Sequence, residues 1–217
     1  SKFERPGRAM RTLAFLMFDH IAGQDTLFHT LNAGGSLVVV ERRDPDSIVD
    51  LIRSAHAEVL PTSPSFLRLL CAGRDISSND LPTLKVVTFG SEPMDATTLH
   101  HMMDRFPYVE LIQKYGTTET GSPRTQSRSN DSLWFRFKGG SSEAEAMVRE
   151  GVLWLRTRAN LLGYLNADMP LSEDGWYCTG DLVEQDGEWI RVIGRDSEMI
   201  NVGGEKVSPA EVEDVIR

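Results

Sequence analysis

Apolar runs of four to eight residues alternate with longer amphipathic stretches over the first 120 residues of the chain. The runs predict buried strands, and they lie at 11–16, 36–40, 58–62, 84–90 and 109–116. The stretches between them predict helices, which lie at 20–32, from Pro45, from Pro64 and at 95–106 with Asp95 as N-cap. Strands and helices that alternate in this way form βαβ units, so their strands lie parallel in one sheet. The sequence therefore predicts an α/β fold for 1–121, in which the β-branched run at 36–40 is covered on both faces.

Turn signals replace this alternation in the second half of the chain. Glu150-Gly151, Asp174-Gly175 and Asp186-Gly187 separate short apolar runs between residues 133 and 193. This spacing is typical of antiparallel hairpins, so we expect a small barrel-like β subdomain over 122–194. Residues 195–217 contain a Gly203-Gly204 turn and then a predicted helix start at Ser208.

The composition argues against two classes of partner. The 217 residues carry a formal net charge of −9, which disfavours binding to a phosphate backbone through a broad basic face. No run reaches the roughly 18 apolar residues that a membrane span needs. The two cysteines, Cys71 and Cys178, form no disulfide framework and fit a reducing compartment. We therefore expect a cytoplasmic protein that binds no nucleic acid and has no membrane span.

Four short segments carry residues suited to a nucleotide. The first, Gly90 to Pro93, ends a predicted parallel strand, where ligands of open α/β sheets bind, although most strand-ending glycines are only turns. The second is Tyr115 to Thr120. Its ring suits stacking on a base and its carboxylate suits Mg²⁺, whereas the alternative is a polar loop with a helix cap.

The other two segments follow in the β-rich part. In Trp176 to Asp181, an aspartate placed by a glycine turn suits the two hydroxyls of a ribose, although Gly-Asp is also common in plain hairpin turns. The fourth segment, Gly194 to Glu213, is long and combines charged residues with a double glycine.

Taken in order, these segments resemble the adenylate-forming superfamily of AMP-dependent synthetases and ligases. The residues that carry the resemblance are GSEP, YGTTE, GYLN, GWYCTGDL and GRDSEMINVGGEKVSPAEVE, and it extends from about residue 10 to the end. The superfamily includes acyl-CoA and aryl-CoA synthetases and adenylation domains. The resemblance implies a partial adenylate-forming fold. In it, 1–121 and 122–194 belong to the large N-terminal adenylation domain, and 195–217 form the hinge and the start of a C-terminal domain.

The resemblance implies a role in nucleotide binding for residues of all four segments. Tyr115 would stack on adenine, with the main chain of residues 90–93 on the other face of the base. Asp181 would bind the ribose hydroxyls, assisted by Arg195. The complete implied set is Gly90, Ser91, Glu92, Pro93, Tyr115, Gly116, Thr117, Thr118, Asp181 and Arg195.

The resemblance also implies catalytic and substrate-binding residues. Thr118 would contact the α-phosphate and Glu119 would hold Mg²⁺, which makes these two the catalytic candidates and Glu119 the metal ligand. Asp19 and His20 follow an aromatic residue at a place where the family often lines its carboxylate site, and Gly116 would border the same pocket. The alternative for His20 is an exposed residue at a helix start.

The implied reaction has two steps. A carboxylate attacks the α-phosphate of ATP to give acyl-AMP and pyrophosphate, and a thiol of coenzyme A or of carrier-protein phosphopantetheine then takes the acyl group. The expected cofactors are ATP, Mg²⁺ and coenzyme A or phosphopantetheine. The expected partners are a small-molecule carboxylate and either CoA or an acyl carrier protein.

Two departures from the family pattern lead to further expectations. The family's phosphate loop would precede Ser1 and its C-terminal lysine would follow Arg217, so we expect this chain to be a fragment that does not form acyl-AMP at a useful rate alone. One alternative is an amino-acid-activating domain in which Asp19 holds an α-ammonium, although the adjacent His20 favours acyl or aryl acids. Another is a non-catalytic nucleotide-binding remnant, but retention of Glu119 and Asp181 favours an enzyme.

Overall fold

The computed structural model describes residues 8–73, 75–138, 144–168, 171–202, 205–207, 209, 212 and 216. The chain divides into two compact units, Ser1–Lys114 and Tyr115–Arg217. The domain limits expected at residues 121 and 194 stay predictions.

The first unit is an α/β layer structure in which strands and helices alternate along the chain. Its elements are β1 (Arg11–Ala14), α1 (Ile21–Asn32), β2 (Ser36–Val39), α2 (Pro45–Ala55), β3 (Val59–Thr62), α3 (Pro64–Ala72), β4 (Val86–Phe89), α4 (Ala96–Arg105) and β5 (Glu110–Gln113). The five strands pair in parallel in the order β2-β1-β3-β4-β5. The predicted parallel α/β subdomain is confirmed.

Local capping residues set where three of these helices begin. Asp44, Ser63 and Asp95 each accept a hydrogen bond from a backbone N–H of the first helical turn, at 3.0, 3.3 and 2.7 Å. Such caps stabilise a helix by about 1 kcal/mol each. Pro45 and Pro64 follow two of the caps, where a proline loses no hydrogen bond. The predicted N-cap at Asp95 is confirmed.

The core of the first unit lies on the central strands, whereas β2 is only partly buried. Leu13, Leu60 and Val87 are fully buried. In contrast, β2 pairs with β1 at the edge of the sheet and the side chain of Val39 is 74% exposed. The prediction that residues 36–40 are covered on both faces is therefore wrong for this strand.

The second unit is a six-stranded antiparallel sheet that curls into a half-barrel. Its strands are β6 (Thr125–Ser127), β7 (Phe135–Phe137), β8 (Ala144–Arg149), β9 (Val152–Thr157), β10 (Tyr177–Asp186) and β11 (Trp189–Arg195), in the order β6-β7-β11-β10-β9-β8. Its buried core contains Phe135, Leu153, Leu155, Val183 and Ile190. The barrel-like expectation is confirmed.

A short hairpin follows the sheet. A 3₁₀ turn at Asp196–Glu198 leads into β12 (Ile200–Val202) and β13 (Glu205–Val207), which pair antiparallel. The predicted turn at Gly203-Gly204 and the predicted helix cap at Ser208 lie outside the described residues. Among the described residues, no helix combines the length and the apolar character that crossing a bilayer requires.

Candidate active site

The Gly90–Pro93 loop follows β4 at the carboxyl edge of the parallel sheet, as predicted. Gly90 is required by space, because a Cβ at this position would lie 2.5 Å from the carbonyl oxygen of Lys114. Ser91 adopts φ +74°, a left-handed conformation that is rare for a residue with a side chain. The loop therefore turns sharply and brings its main chain close to the end of β5.

The side chain of Glu92 contacts helix α3. Its carboxylate accepts hydrogen bonds from the backbone N–H and the hydroxyl of Ser65, at 2.6 and 2.8 Å. A carboxylate at a helix N-terminus is stabilised by the unpaired N–H groups there. Glu92 thus fixes the loop to the sheet's flanking helix, and the main chain is the part of the loop left to present to a ligand.

A second carboxylate anchors the end of the same loop. Asp95 accepts a hydrogen bond from Arg68 at 2.9 Å, and Arg68 also donates to the hydroxyl of Ser65 at 3.0 Å. Burial tends to raise the pKa of Asp95, but hydrogen bonds from Thr98 and from Arg68 outweigh it and hold that pKa below its ordinary value. The sequence analysis did not predict that Ser65 and Arg68 would anchor the loop. The only signal for these contacts was the predicted start of a helix at Ser63-Pro64.

In the second unit, Tyr115 lies within an aromatic cluster. Its ring stacks on Phe135 with centroids 5.6 Å apart and meets Phe137 edge-on at 5.9 Å. Its hydroxyl donates a hydrogen bond to Asp181. Burial, together with the charge of Asp181, raises the pKa of Tyr115 far above its ordinary value. The phenol is therefore a neutral, fixed donor.

Asp181 is 7% exposed and has a charged partner besides Tyr115. Arg195 lies opposite it in the β10–β11 pair and donates from Nε to Oδ1 at 3.3 Å. Gly180, at φ +73°, lies within β10 directly before the aspartate, where the pairing of β10 with β9 is irregular. The structure thus brings together three predicted nucleotide residues, Tyr115, Asp181 and Arg195, through one carboxylate.

Residues 116–121 form a tight turn after Tyr115. Thr117 N–H donates to the carbonyl of Gly121 at 3.2 Å, and Thr120 N–H donates to the Thr117 hydroxyl at 3.2 Å. Gly116 and Thr118 are exposed on this turn. The side chain of Thr118 is thus accessible to a ligand, while that of Thr117 holds the turn.

Glu119 receives a hydrogen bond that the sequence did not predict. Tyr164 donates from its hydroxyl to Oε1 of Glu119 at 2.6 Å. Burial works to raise the pKa of Glu119, but hydrogen bonds, with the one from Tyr164 foremost, outweigh it and lower that pKa below its ordinary value. Glu119 is therefore ionised at neutral pH. Tyr164 lies in the GYLN segment, which sequence reasoning used as a family signal without giving the tyrosine a role.

The donor set around Glu119 fits Mg²⁺. In the described part of the chain, no three His, Cys, Asp or Glu side chains cluster in a way that could hold a metal ion. Mg²⁺ is usually held by one or two carboxylates together with substrate phosphates and waters rather than by a protein cage. A single ionised carboxylate beside the exposed Thr118 hydroxyl matches that pattern.

Asp19 and His20 lie in the first unit, between β1 and α1. His20 occupies the N-cap position of α1 but makes no side-chain cap, and its Nε2 lies 3.8 Å from Oδ1 of Asp19. Both side chains are largely exposed. The two predicted substrate residues are thus adjacent and accessible at the carboxyl end of a central strand. That adenine lies between Tyr115 and residues 90–93 stays a prediction, since these loops belong to different units.

The sequence matches the family described as AMP-binding enzyme over residues 2–137. Among curated relatives, 4-coumarate–CoA ligase-like 6 of Arabidopsis thaliana is 28% identical, and the match covers 100% of this chain and 42% of that protein. Indoleacetate–CoA ligase of Aromatoleum aromaticum is also 28% identical, over 95% of this chain and 44% of that protein. The chain thus spans less than half the length of these relatives.

Solved structures share the fold. ATP-bound MatB from Rhodopseudomonas palustris superposes with a TM-score of 0.77 at 23% identity, over 97% of this chain and 45% of MatB. The family match covers more than half of the chain, and the parallel sheet and half-barrel agree with this neighbour. The chain therefore belongs to the AMP-binding enzyme family, within the adenylate-forming superfamily.

Proposed function

We propose that the protein activates a carboxylic acid with ATP as an acyl-adenylate and then transfers the acyl group to a thiol. Its family supports AMP-forming ligase chemistry in general. The relatives named above are CoA ligases, which favours coenzyme A over carrier-protein phosphopantetheine as the acceptor. The two free cysteines, Cys71 and Cys178, are consistent with the cytoplasmic location that we also propose.

The observation that carries this proposal is the pairing of Asp181 with Tyr115 and Arg195. A carboxylate offers about four lone-pair sites, so two protein donors leave capacity for the hydroxyls of a ribose. Arg195 compensates the charge of this nearly buried group. A protein that had lost its nucleotide would gain little from a buried carboxylate held in this way. The arrangement therefore favours a working nucleotide site over a remnant.

The other nucleotide contacts follow from what each loop leaves accessible. We assign the main chain of Gly90–Pro93 to the adenine, because Glu92 is occupied by Ser65. A purine would stack on the part of the Tyr115 ring that stays exposed. The exposed hydroxyl of Thr118 is suited to a phosphate oxygen, with the neighbouring residues Gly116 and Thr117 shaping the turn.

Glu119 would hold Mg²⁺ when the nucleotide is bound, and the ion would neutralise charge on the phosphates. Glu119 itself is suited to this because it is ionised and its main chain is fixed. On the substrate side, His20, Asp19 and Gly116 are accessible and would border the carboxylic acid. We prefer an acyl or aryl acid over an amino acid, since His20 adjoins the aspartate that would otherwise hold an ammonium.

Calorimetry with ATP and with AMP tests the nucleotide site. We expect the protein to bind both, and Asp181→Asn to weaken binding by roughly 10–100-fold, as the loss of a charged hydrogen-bond acceptor would do. Asp186→Asn is the matched control, because Asp186 lies on the same strand in an exposed ion pair with Arg128. It should bind like the wild type. Absence of heat with either nucleotide would show that the protein is a non-catalytic remnant.

A further inference from the structure

The segment from Asn160 to Leu165, which we term the 160–165 segment, holds Glu119 at two points. The backbone N–H of Leu161 donates to the carbonyl oxygen of Glu119 at 2.6 Å. The hydroxyl of Tyr164 donates to its carboxylate at 2.6 Å. The first contact fixes the main chain of Glu119 and the second fixes its side chain. Tyr164 and Glu119 are 45 positions apart in sequence.

The start of the 160–165 segment is attached to the end of β9. Asn160 accepts a hydrogen bond from the backbone N–H of Thr157 at 3.2 Å and donates to the carbonyl of Gly175 at 3.2 Å. The Thr157 hydroxyl lies 2.9 Å from the carbonyl of Thr120, to which it donates. Thr157 thus links the start of the 160–165 segment, through Asn160, to the turn that carries Glu119, through Thr120.

The rest of the segment makes few other attachments. Leu162 and Leu165 are fully exposed, so neither contributes packing. Gly163 has φ +156°, and a Cβ there would meet nothing within 4 Å. Tyr164 is itself 38% exposed. Apolar burial therefore does not explain the position of Tyr164. Its hydroxyl interacts with the Glu119 carboxylate, which is the stronger contact, and with Tyr177.

In this contact, Tyr164 hydrogen-bonds to the carboxylate that we propose as the metal ligand and would not itself contact the metal. Residues that hydrogen-bond to a metal-ligating carboxylate fix its orientation, and their loss typically weakens metal binding by about 10–100-fold. Tyr177 and Thr117 also interact with Glu119, but a carboxylate has about four lone-pair sites and keeps capacity for a cation. The phenol also cannot replace the cation, because it is a hydrogen-bond donor to the carboxylate and does not neutralise its charge.

We propose that Tyr164 is a positioning residue that orients the Glu119 carboxylate toward the divalent cation of the bound nucleotide. This inference depends on the proposed function. The GYLN segment at residues 163–166 would then contribute to metal-dependent nucleotide binding through the Tyr164 hydroxyl, and not to folding alone.

The test compares ATP affinity with Mg²⁺ and with EDTA, by calorimetry, in the wild type and in Tyr164→Phe. We expect the ratio of the two affinities to fall by about tenfold or more in Tyr164→Phe, while the affinity in EDTA stays unchanged. A purely structural role would lower both affinities equally and leave the ratio as in the wild type. Binding of Mn²⁺ alone, followed by water-proton relaxation, should weaken in the same variant and gives a readout without nucleotide.

Two controls separate the hydroxyl from nonspecific effects. Tyr108→Phe removes the same atom from a fully exposed tyrosine of the first unit, and Leu165→Ala alters the 160–165 segment without touching Glu119. Both should keep the wild-type ratio. A wild-type ratio in Tyr164→Phe would overturn the inference and leave the proposed function intact. A wild-type protein that binds no ATP would overturn both.

Discussion

The carboxylates around the Gly90–Pro93 loop of the first unit act differently from those of the second unit. In the first unit, Glu92 and Asp95 bind to helix α3, so they are consumed in holding a loop whose main chain is left to face a ligand. In the second unit, each of Asp181 and Glu119 accepts a hydrogen bond from a tyrosine and keeps further capacity as an acceptor. The Gly90–Pro93 loop of the first unit therefore presents backbone, whereas the second unit presents charged side chains.

This difference explains which substitutions each unit tolerates. A site that presents backbone is sensitive to the shape of the chain and indifferent to the identity of an exposed side chain. A site that presents carboxylates is sensitive to the hydrogen bonds that orient them. A flat purine is suited to the first type of surface and a metal-bound phosphate or a ribose to the second.

The largest expected effect comes from a comparison of two glycines, Gly90 in the loop after β4 and Gly180 within β10. Gly90→Ala would place its Cβ 2.5 Å from the carbonyl oxygen of Lys114, so the backbone must move. We expect the free energy of unfolding to fall by about 2–3 kcal/mol. Gly180→Ala has no neighbour within 4 Å and carries only the strain of φ +73°, for which about 1 kcal/mol is expected. Urea unfolding measures both, and equal losses would contradict the close-approach explanation for Gly90.

A smaller effect is expected from breaking the anchor of the first loop. Asp95→Asn keeps a residue that can cap α4 but removes the charge that pairs with Arg68, so about 1–2 kcal/mol of stability should be lost near neutral pH. Nucleotide binding through the carboxylates of the second unit should survive this change.

The same anchor predicts a pH dependence with a definite sign. The folded-state pKa of Asp95 lies below the ordinary value of 3.8, so its carboxylate stabilises the fold above that pH and this contribution is lost as the pH falls below it. The stability gap between the wild type and Asp95→Asn should therefore narrow between about pH 5 and about pH 3. Asp104→Asn, an exposed change on the same helix, is the control and should show no such narrowing.

Sequence reasoning predicted local features well because their causes are local. The N-cap of α4 depends on Asp95 and on the next three residues, so the sequence shows it directly. Val39 was misjudged because a β-branched run looks the same in a central strand and at an edge, and pairing partners decide between the two.

Within the site, single residues were predictable and their contacts with one another were not. Tyr115 and Asp181 were each expected to contact the nucleotide. They are 66 positions apart, so their mutual hydrogen bond depends on where the sheet places β10 relative to Tyr115. Tyr164 was missed for the same reason, since its partner Glu119 is distant in sequence. A tyrosine that lies between a glycine and a leucine gives no local sign of what it will contact.

Ser91 gives the smallest predicted effect and the sharpest test of the backbone-presenting loop. Ser91→Gly removes the cost of a side chain at φ +74° but adds freedom to the unfolded chain, so a net gain of about 0.5–1 kcal/mol is expected. Ser36→Gly, an exposed change on the edge strand β2, should instead lose stability. If the loop serves a ligand through its main chain, Ser91→Gly should also keep the wild-type affinity for ATP. A variant that became more stable and yet bound ATP more weakly would show that the Ser91 hydroxyl contributes to ATP binding. The loop would then present a side chain as well as its main chain, and it would differ less from the second unit.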